Sequence, residues 1–289
     1  MNCLLIYLLL LIAGCGTPKE IQKKVTEENT LLWRITGKQL SQASYLYGTI
    51  HMICKEDFVL SDALKLRFDS AAMVYLELDL DDPAMMLKTM KLSMMKDKSL
   101  KDLFSKEDYD KLNLYMRDSV GMPLLLFNKM KPITLMSLLY TKALPCDKQE
   151  SYEQRFLQMA QSAKKEIKGL ESLEDQFAVF DKIPDSVQAK MIMEMINAFG
   201  SQRQQFQQMT EAYKKQDLAA LHRQISASPD IAGYEDVFLV NRNKNWIPVM
   251  EDAMKKNSNF FAVGAGHLPG ENGVINLLRK AGYTLTPVK

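Results

Sequence analysis

The sequence predicts an α/β fold in which strands from near both ends of the chain build a mixed central sheet around a largely helical insertion. Three observations lead there. β-rich runs cluster close to the two termini, helical patterns fill the middle, and residues 259–288 form a compact strand–turn–helix–strand unit. With 289 residues, 47% hydrophobic and 25% charged, the chain can bury a full core as one large domain. A formal net charge of +2, with acids and bases interspersed and no basic–aromatic stripe, argues against a nucleic-acid partner.

The chain opens with an apolar run, Leu4 to Ala13, which is too short to span a bilayer and fits the core of a signal peptide. It ends in Ile12-Ala13-Gly14-Cys15, the form of a lipobox whose cysteine takes the lipid. Residues 1–15 are therefore expected to be a lipoprotein signal, although no Lys or Arg precedes the apolar run. Residues 16–29 are polar and charged and read as a tether. The expected location is the bacterial cell envelope, lipid-anchored at the outer membrane or its periplasmic face. Residues 30–289 are left as the folded domain.

Within that domain, Leu31–Thr36 and Ser44–Ile50 suggest an opening hairpin across polar Gly37-Lys38-Gln39. Ser61–Ala71 reads as a helix and Met73–Leu80 as a strand. Helical patterns follow at 83–96, 106–119, 132–143 and 151–164, with a short strand possible at 166–170. A Met- and Gln-rich helical stretch runs from Pro184 to about Lys215, one helix carries His222, and another spans Tyr234–Lys256. The insertion covers about 84–230. Strand 259–263, helix 273–281 and strand 283–288 close the chain. Cys54 and Cys146 can form one disulfide or stand as two buried thiols, and their spacing is not that of a metal-binding pair.

Two of the three histidines stand in G-x-x-H, each directly after a β-rich run: Gly48-Thr49-Ile50-His51 and Gly264-Ala265-Gly266-His267. Ligand sites of open α/β sheets gather at the carboxyl ends of strands. The alternative is two histidines satisfied in turns. Glu77 lies among apolar neighbours, where a bare carboxylate is costly, and alternation would place it on one face with Tyr75 and Asp79. Arg242 interrupts the apolar stripe of Leu239, Trp246 and Met250, so it either snorkels outwards or meets an anion, and Asn243 beside it offers a neutral donor and acceptor. Pro248 is expected to kink or restart this helix. His222 has no partner signature and reads as a surface helix residue.

These segments resemble the TraB/PrgY/GumN family. Leu46-Tyr47-Gly48-Thr49-Ile50-His51-Met52 is similar to its first signature and Tyr75-Leu76-Glu77-Leu78-Asp79 to its glutamate strand. Gly169-Leu170-Glu171-Ser172 with Gln176 resembles its middle block; Asn241–Trp246 and Val263–Gly270 resemble its C-terminal signatures. The likeness runs in order from about Leu32 to Val288, with Cys54 where relatives carry proline. It implies an α/β fold shared with erythromycin esterase and ChaN-like proteins, and kinship with the Tiki proteins, described as metal-dependent proteases. His51, Glu77 and His267 match the positions held responsible there, and Arg242 and Glu171 match family positions.

The expected function is a metal-dependent, peptidase-like hydrolase. His51, Glu77 and His267 would serve as catalytic residues and as ligands to Zn, Mn or Co. Arg242 would steady the oxyanion, and Asn243 and Glu171 would contact substrate. One alternative is a metal-free hydrolase in which Glu77 orients His51 as general base. Another is a lipoprotein that binds a peptide or haem-type ligand without turning it over.

Overall fold

The computed structural model describes residues 29–228 and 233–289. The apolar run, Cys15 and all but the last residue of the tether lie outside them. No helix among the described residues is long and apolar enough to cross a membrane.

Six strands form the main sheet: β1 (Leu32–Gly37), β2 (Ser44–Thr49), β4 (Met73–Leu76), β6 (Ile167–Gly169), β7 (Asn259–Gly264) and β8 (Tyr283–Pro287). Their spatial order is β6-β4-β7-β2-β1-β8. β6, β4, β7 and β2 are mutually parallel, while β1 runs antiparallel to both β2 and β8. The mixed α/β sheet expected is found, with one difference: its edge strand β6 comes from within the expected helical insertion, not from the chain ends. Every residue of β2 and β7 is buried, as parallel strands covered on both faces require.

Helices α1 (Asp62–Ser70) and α6 (Tyr152–Ala163) cover one region of the sheet through an aromatic cluster. Phe260 of β7 meets Phe68 at 5.3 Å and Phe156 at 5.2 Å between ring centroids. Helices α11 (Asn241–Lys256) and α12 (Val274–Lys280) add Trp246, Met250 and Leu278 to the same core. A second core lies in the helical region. It joins α3 (Leu100–Leu103), α4 (Lys106–Tyr115), α5 (Pro132–Tyr140) and α8 (Asp185–Asn197) through Leu100, Leu112, Leu135 and Ile192, among others. Helices α2 (Met85–Leu92), α7 (Leu173–Phe180), α9 (Phe199–Lys214) and α10 (Leu218–Ser226) complete the helical region, which returns to the sheet at β6.

Several boundaries differ from the sequence reading. The strand expected over Met73–Leu80 ends at Leu76, because β4 pairs with β7 only through Tyr75 and with β6 only through Leu76. Glu77 is thus past the strand's end, and Asp79 does not share a sheet face with it. The single helix expected from Pro184 to Lys215 is two, separated at Ala198, whose φ of −108° and ψ of 21° are not helical. Pro248 does not end α11. It sits on the exposed side, where water can satisfy the carbonyl its missing N–H leaves free.

The described cysteines are bonded: Cys54 and Cys146 form a disulfide with Cα atoms 5.8 Å apart. It lies at a small second sheet, β3 (Ile53–Cys54) against β5 (Gln149–Glu150), paired Ile53 to Glu150 and Cys54 to Gln149.

Candidate active site

Each of the four parallel strands delivers one polar side chain just beyond its carboxyl end. β2 is followed by His51, β4 by Glu77, β6 by Glu171 and β7 by His267. The first turn of α11 adds Arg242 and Asn243 from the side.

Glu77 is buried and fully engaged. Its Oε1 accepts the Gly264 N–H at 2.8 Å and its Oε2 accepts Arg242 Nη2 at 2.6 Å. Burial alone would raise this carboxyl, but the Arg242 charge, aided by the two imidazoles, holds it well below the usual carboxylate range. Arg242 also binds Glu171, with Nε at 3.0 and 3.1 Å from its two carboxylate oxygens. Arg242, 9% exposed as a residue, thus has its guanidinium clamped between two acids.

His267 is equally constrained. Its Nδ1 lies 2.6 Å from Asn243 Oδ1, and Asn243 Nδ2 donates onward to the Asn272 carbonyl at 2.9 Å. Since that amide oxygen can only accept, Nδ1 carries the proton and Nε2 keeps its lone pair. Nε2 points at Arg242 Nη1, 3.2 Å away, and lies 3.8 Å from Glu77 Oε1. The Trp246 ring covers the imidazole at 4.5 Å. Burial lowers His267, and the Arg242 charge adds to it against the pull of Glu77, taking it to about 3.

His51 differs: its side chain is 67% exposed. Its Nδ1 lies 3.0 Å from Glu153 Oε1, a carboxylate in the first turn of α6 that also accepts Thr49 Oγ1 at 2.6 Å and Ser151 Oγ at 2.9 Å. The Glu153 charge and hydrogen bond raise His51 towards about 9, an effect that solvent around this exposed ring screens.

The three groups meet over Gly264. A Cβ there would lie 3.3 Å from Glu77 Oε1, 3.4 Å from His51 Nε2 and 3.5 Å from His267 Cδ2. Any larger residue would fill the space the two histidines face.

The geometry thus gathers His51, Glu77, His267 and Arg242 in one place. Arg242 does not reach towards open space, however, because its donors are spent on Glu77, Glu171, His267 and the Phe238 carbonyl. Asn243 and Glu171, expected to touch substrate, are also engaged internally: Asn243 holds His267, and Glu171 takes Arg242 and Trp246 Nε1, the latter at 3.1 Å. His222 is not the surface residue expected. It is half-buried, with its ring against Gly270 of the loop that follows His267. Glu153 is the residue the sequence reading missed. At the start of an amphipathic helix it looks like ordinary dipole compensation.

The sequence pattern of the TraB/PrgY/gumN family matches residues 31–287. The chain belongs to that family. Among curated proteins, Metalloprotease TIKI2 of Xenopus tropicalis is 24% identical over 327 residues, an alignment covering 93% of this chain and 61% of that protein. The chain therefore spans less than two thirds of that relative's length. No solved structure matches.

As a metal site, this member of the family has a suitable donor set. Nδ1 of each imidazole is held by an oxygen, the outer-sphere arrangement typical of histidine ligands. However, His267 Nε2 already accepts from Arg242 Nη1, and His51, raised by Glu153, must give up a proton before its Nε2 can bind a metal. Three carboxylates (Glu77, Glu153, Glu171) face one guanidinium, so with neutral imidazoles the cluster is net anionic. The donors are not drawn into a closed cage. Among the described residues the one group of three His, Cys, Asp or Glu ligand atoms within 4.8 Å of one another is Cys54, Glu56 and Cys146, and its two sulfurs are bonded to each other.

The opposite shifts of the two histidines give opposite pH effects. His51, raised above its unfolded value, contributes stability that is complete below about 6.5 and is lost as pH climbs through about 9. His267, depressed, contributes stability present above about 6.5 and lost as pH falls towards about 3. The melting temperature of chelator-treated protein should therefore decline on the alkaline side between about 6.5 and about 9. His51→Gln should flatten that limb. An unchanged slope in the variant would remove the His51–Glu153 ion pair from the account.

Proposed function

We propose that this chain is a hydrolase of peptide or related acyl bonds, working at a divalent metal ion held by His51, Glu77 and His267. The observation that carries the proposal is the convergence of His51 Nε2, the Glu77 carboxylate and the His267 ring around the bare Cα of Gly264, with His267 Nε2 3.8 Å from Glu77 Oε1. The distant similarity to a metalloprotease supports the same reading. When bound, a metal would supply a water of lowered pKa and a Lewis acid for the scissile carbonyl.

The chain's own groups have separable tasks. Arg242 keeps Glu77 ionised in a buried position, and the Gly264 N–H fixes its second oxygen. Asn243 sets the tautomer of His267 and Trp246 keeps water from one face of that ring. Glu153 fixes Nδ1–H of His51 so that a proton can be taken up or released at Nε2, the nitrogen that faces Gly264. A lipid anchor at Cys15, at the end of the Leu4–Ala13 run, would place this site in the cell envelope.

A second reading has its own support. The His51–Glu153 pair is a general base with its orienting carboxylate, complete without a metal. The metal-free version considered from sequence gave Glu77 that orienting role; here Glu77 belongs to Arg242.

Metal content and hydrolysis of a quenched peptide library, measured on the full chain and on His51→Ala, decide between them. The metal reading expects bound divalent ion and chelator-sensitive cleavage. It also expects affinity in His51→Ala to fall by more than the roughly 10- to 100-fold that outer-sphere partners cost. Chelator-resistant cleavage that still needs His51 selects the metal-free base. Peptide binding without cleavage, retained after loss of His51 and Glu77, would overturn both.

A further inference from the structure

We propose that Glu153 is the positioning residue for His51, and that the Cys54–Cys146 disulfide keeps the two in register, so that an oxidised cysteine pair is a condition of a working site. What His51 does there rests on the hydrolase reading; how it is held does not.

The two histidines are held very differently. His267 is 5% exposed and fixed by Asn243, Arg242 and the Trp246 ring. His51 is largely in solvent, and its hydrogen-bond partner among the described residues is Glu153, 3.0 Å away. An exposed imidazole with one anchor reorients freely once the anchor moves. Its placement over Gly264 is therefore a question of what places Glu153.

Glu153 comes from a segment remote in sequence, and the join between the two segments is small. His51 is followed at once by β3 (Ile53–Cys54), and Glu153 is preceded at once by β5 (Gln149–Glu150). These strands pair through two residues each, extended by Lys55 N–H to the Lys148 carbonyl at 2.9 Å. So short a ladder is not stable in water on its own. The covalent bond closes it: Cys54 sits in β3, and Cys146 lies just ahead of β5, across a sequence separation of 92. The intervening stretch passes first through the sheet core, as α1 and β4, and only then through the second hydrophobic core.

Helix α6 has its own anchorage from its first residue onward. Tyr152 and Phe156 are buried in the sheet core, and Tyr152 Oη donates to the Val59 carbonyl at 2.9 Å. Because Tyr152 anchors the first turn itself, opening the bond should release the short ladder and the setting of Glu153 against His51 without detaching the helix. Reduction cleaves the S–S bond with two electrons and two protons from a small dithiol, which closes to its own disulfide, leaving two thiols. Cys146 is half-buried, which leaves that sulfur the more approachable of the two.

The test uses the full chain, chelator-treated and labelled with 13C at the histidine rings. The three histidines are assigned by His51→Gln and His222→Gln. In the oxidised chain the His51 ring should be ordered, with an order parameter near about 0.85, like His267. Glu153→Ala, reduction by dithiothreitol, and Cys146→Ser should each drop His51 below about 0.6 while His267 stays unchanged. Glu153→Gln, which keeps an acceptor oxygen, should restore most of the order. His267 reports on folding in the same sample. Loss of order at both rings together would make the disulfide a general staple and overturn the proposal. So would a His51 ring that stays ordered in Glu153→Ala or in the reduced chain. None of these outcomes depends on whether the protein cleaves anything, so failure of the hydrolase reading leaves the measurement interpretable.

Discussion

Arg242→Met should lower unfolding free energy by about 3–5 kcal/mol, the cost of leaving a buried charge without its partner. Two acids depend on this guanidinium: Glu77, at 2.6 Å from Nη2, and Glu171, whose oxygens face Nε at 3.0 and 3.1 Å. Side-chain exposure of the three is 10% or less, so water cannot replace the lost partner. Methionine matches the apolar stem and removes only the charged fork. The penalty should depend on pH in a way that identifies its origin. In the native chain Glu77 is depressed, so its contribution is present above about 4.5 and lost as pH falls. Without Arg242 burial dominates and raises the carboxyl, so acidification relieves the variant while it weakens the parent. The difference between the two should therefore shrink from pH 7 to pH 4.5, and Arg242→Met with Glu77→Gln should recover part of it at pH 7. Urea unfolding at both pH values measures this. A loss below about 1 kcal/mol would mean the acids are better solvated than their burial implies.

The same cluster shows what a single sequence reveals. His51, Glu77 and His267 were legible because they stand at the ends of β-rich runs, two of them behind matching glycines. Strand ends and glycine turns are local properties that the period of the hydrophobic pattern exposes. The sheet's terminal strands were legible for the same reason. Glu153 was not, because its partnership with His51 spans 102 residues and depends on two-residue strands too short to carry any period. Asn243 and Glu171 were singled out, but not their partners in the fold: only the assembled chain turns Asn243 towards His267 Nδ1 and Glu171 towards Arg242. The break at Ala198 escaped because nothing in the helix-forming run from Pro184 demands a stop before Phe199. The helix turns where α8 has packed into the second core.

Trp246→Ala should cost about 3–5 kcal/mol, the range for emptying a large aromatic site from a core. Trp246 is 0% exposed. It serves the cluster in three ways: its ring covers His267 at 4.5 Å, the Arg242 guanidinium lies 4.8 Å over its face, and its Nε1–H donates to Glu171 at 3.1 Å. Trp246→Phe separates these effects. It keeps most of the ring but deletes the donor, and a hydrogen bond to a charged acceptor is worth about 1.5–3 kcal/mol. That variant should thus lose about half of what alanine loses, and the rest should be packing. Because Trp246 and Arg242 share Glu171 as acceptor, their losses should not add. With Arg242 gone, Glu171 is already short of its main partner, and removing the indole N–H deepens an existing deficit instead of creating one. Urea unfolding of Trp246→Phe, Arg242→Met and the double variant forms a closed cycle, with an expected coupling of roughly 0.5–3 kcal/mol. Additivity within error would show that the indole N–H and the guanidinium stabilise Glu171 independently, and the network would then be two separate contacts to one carboxylate.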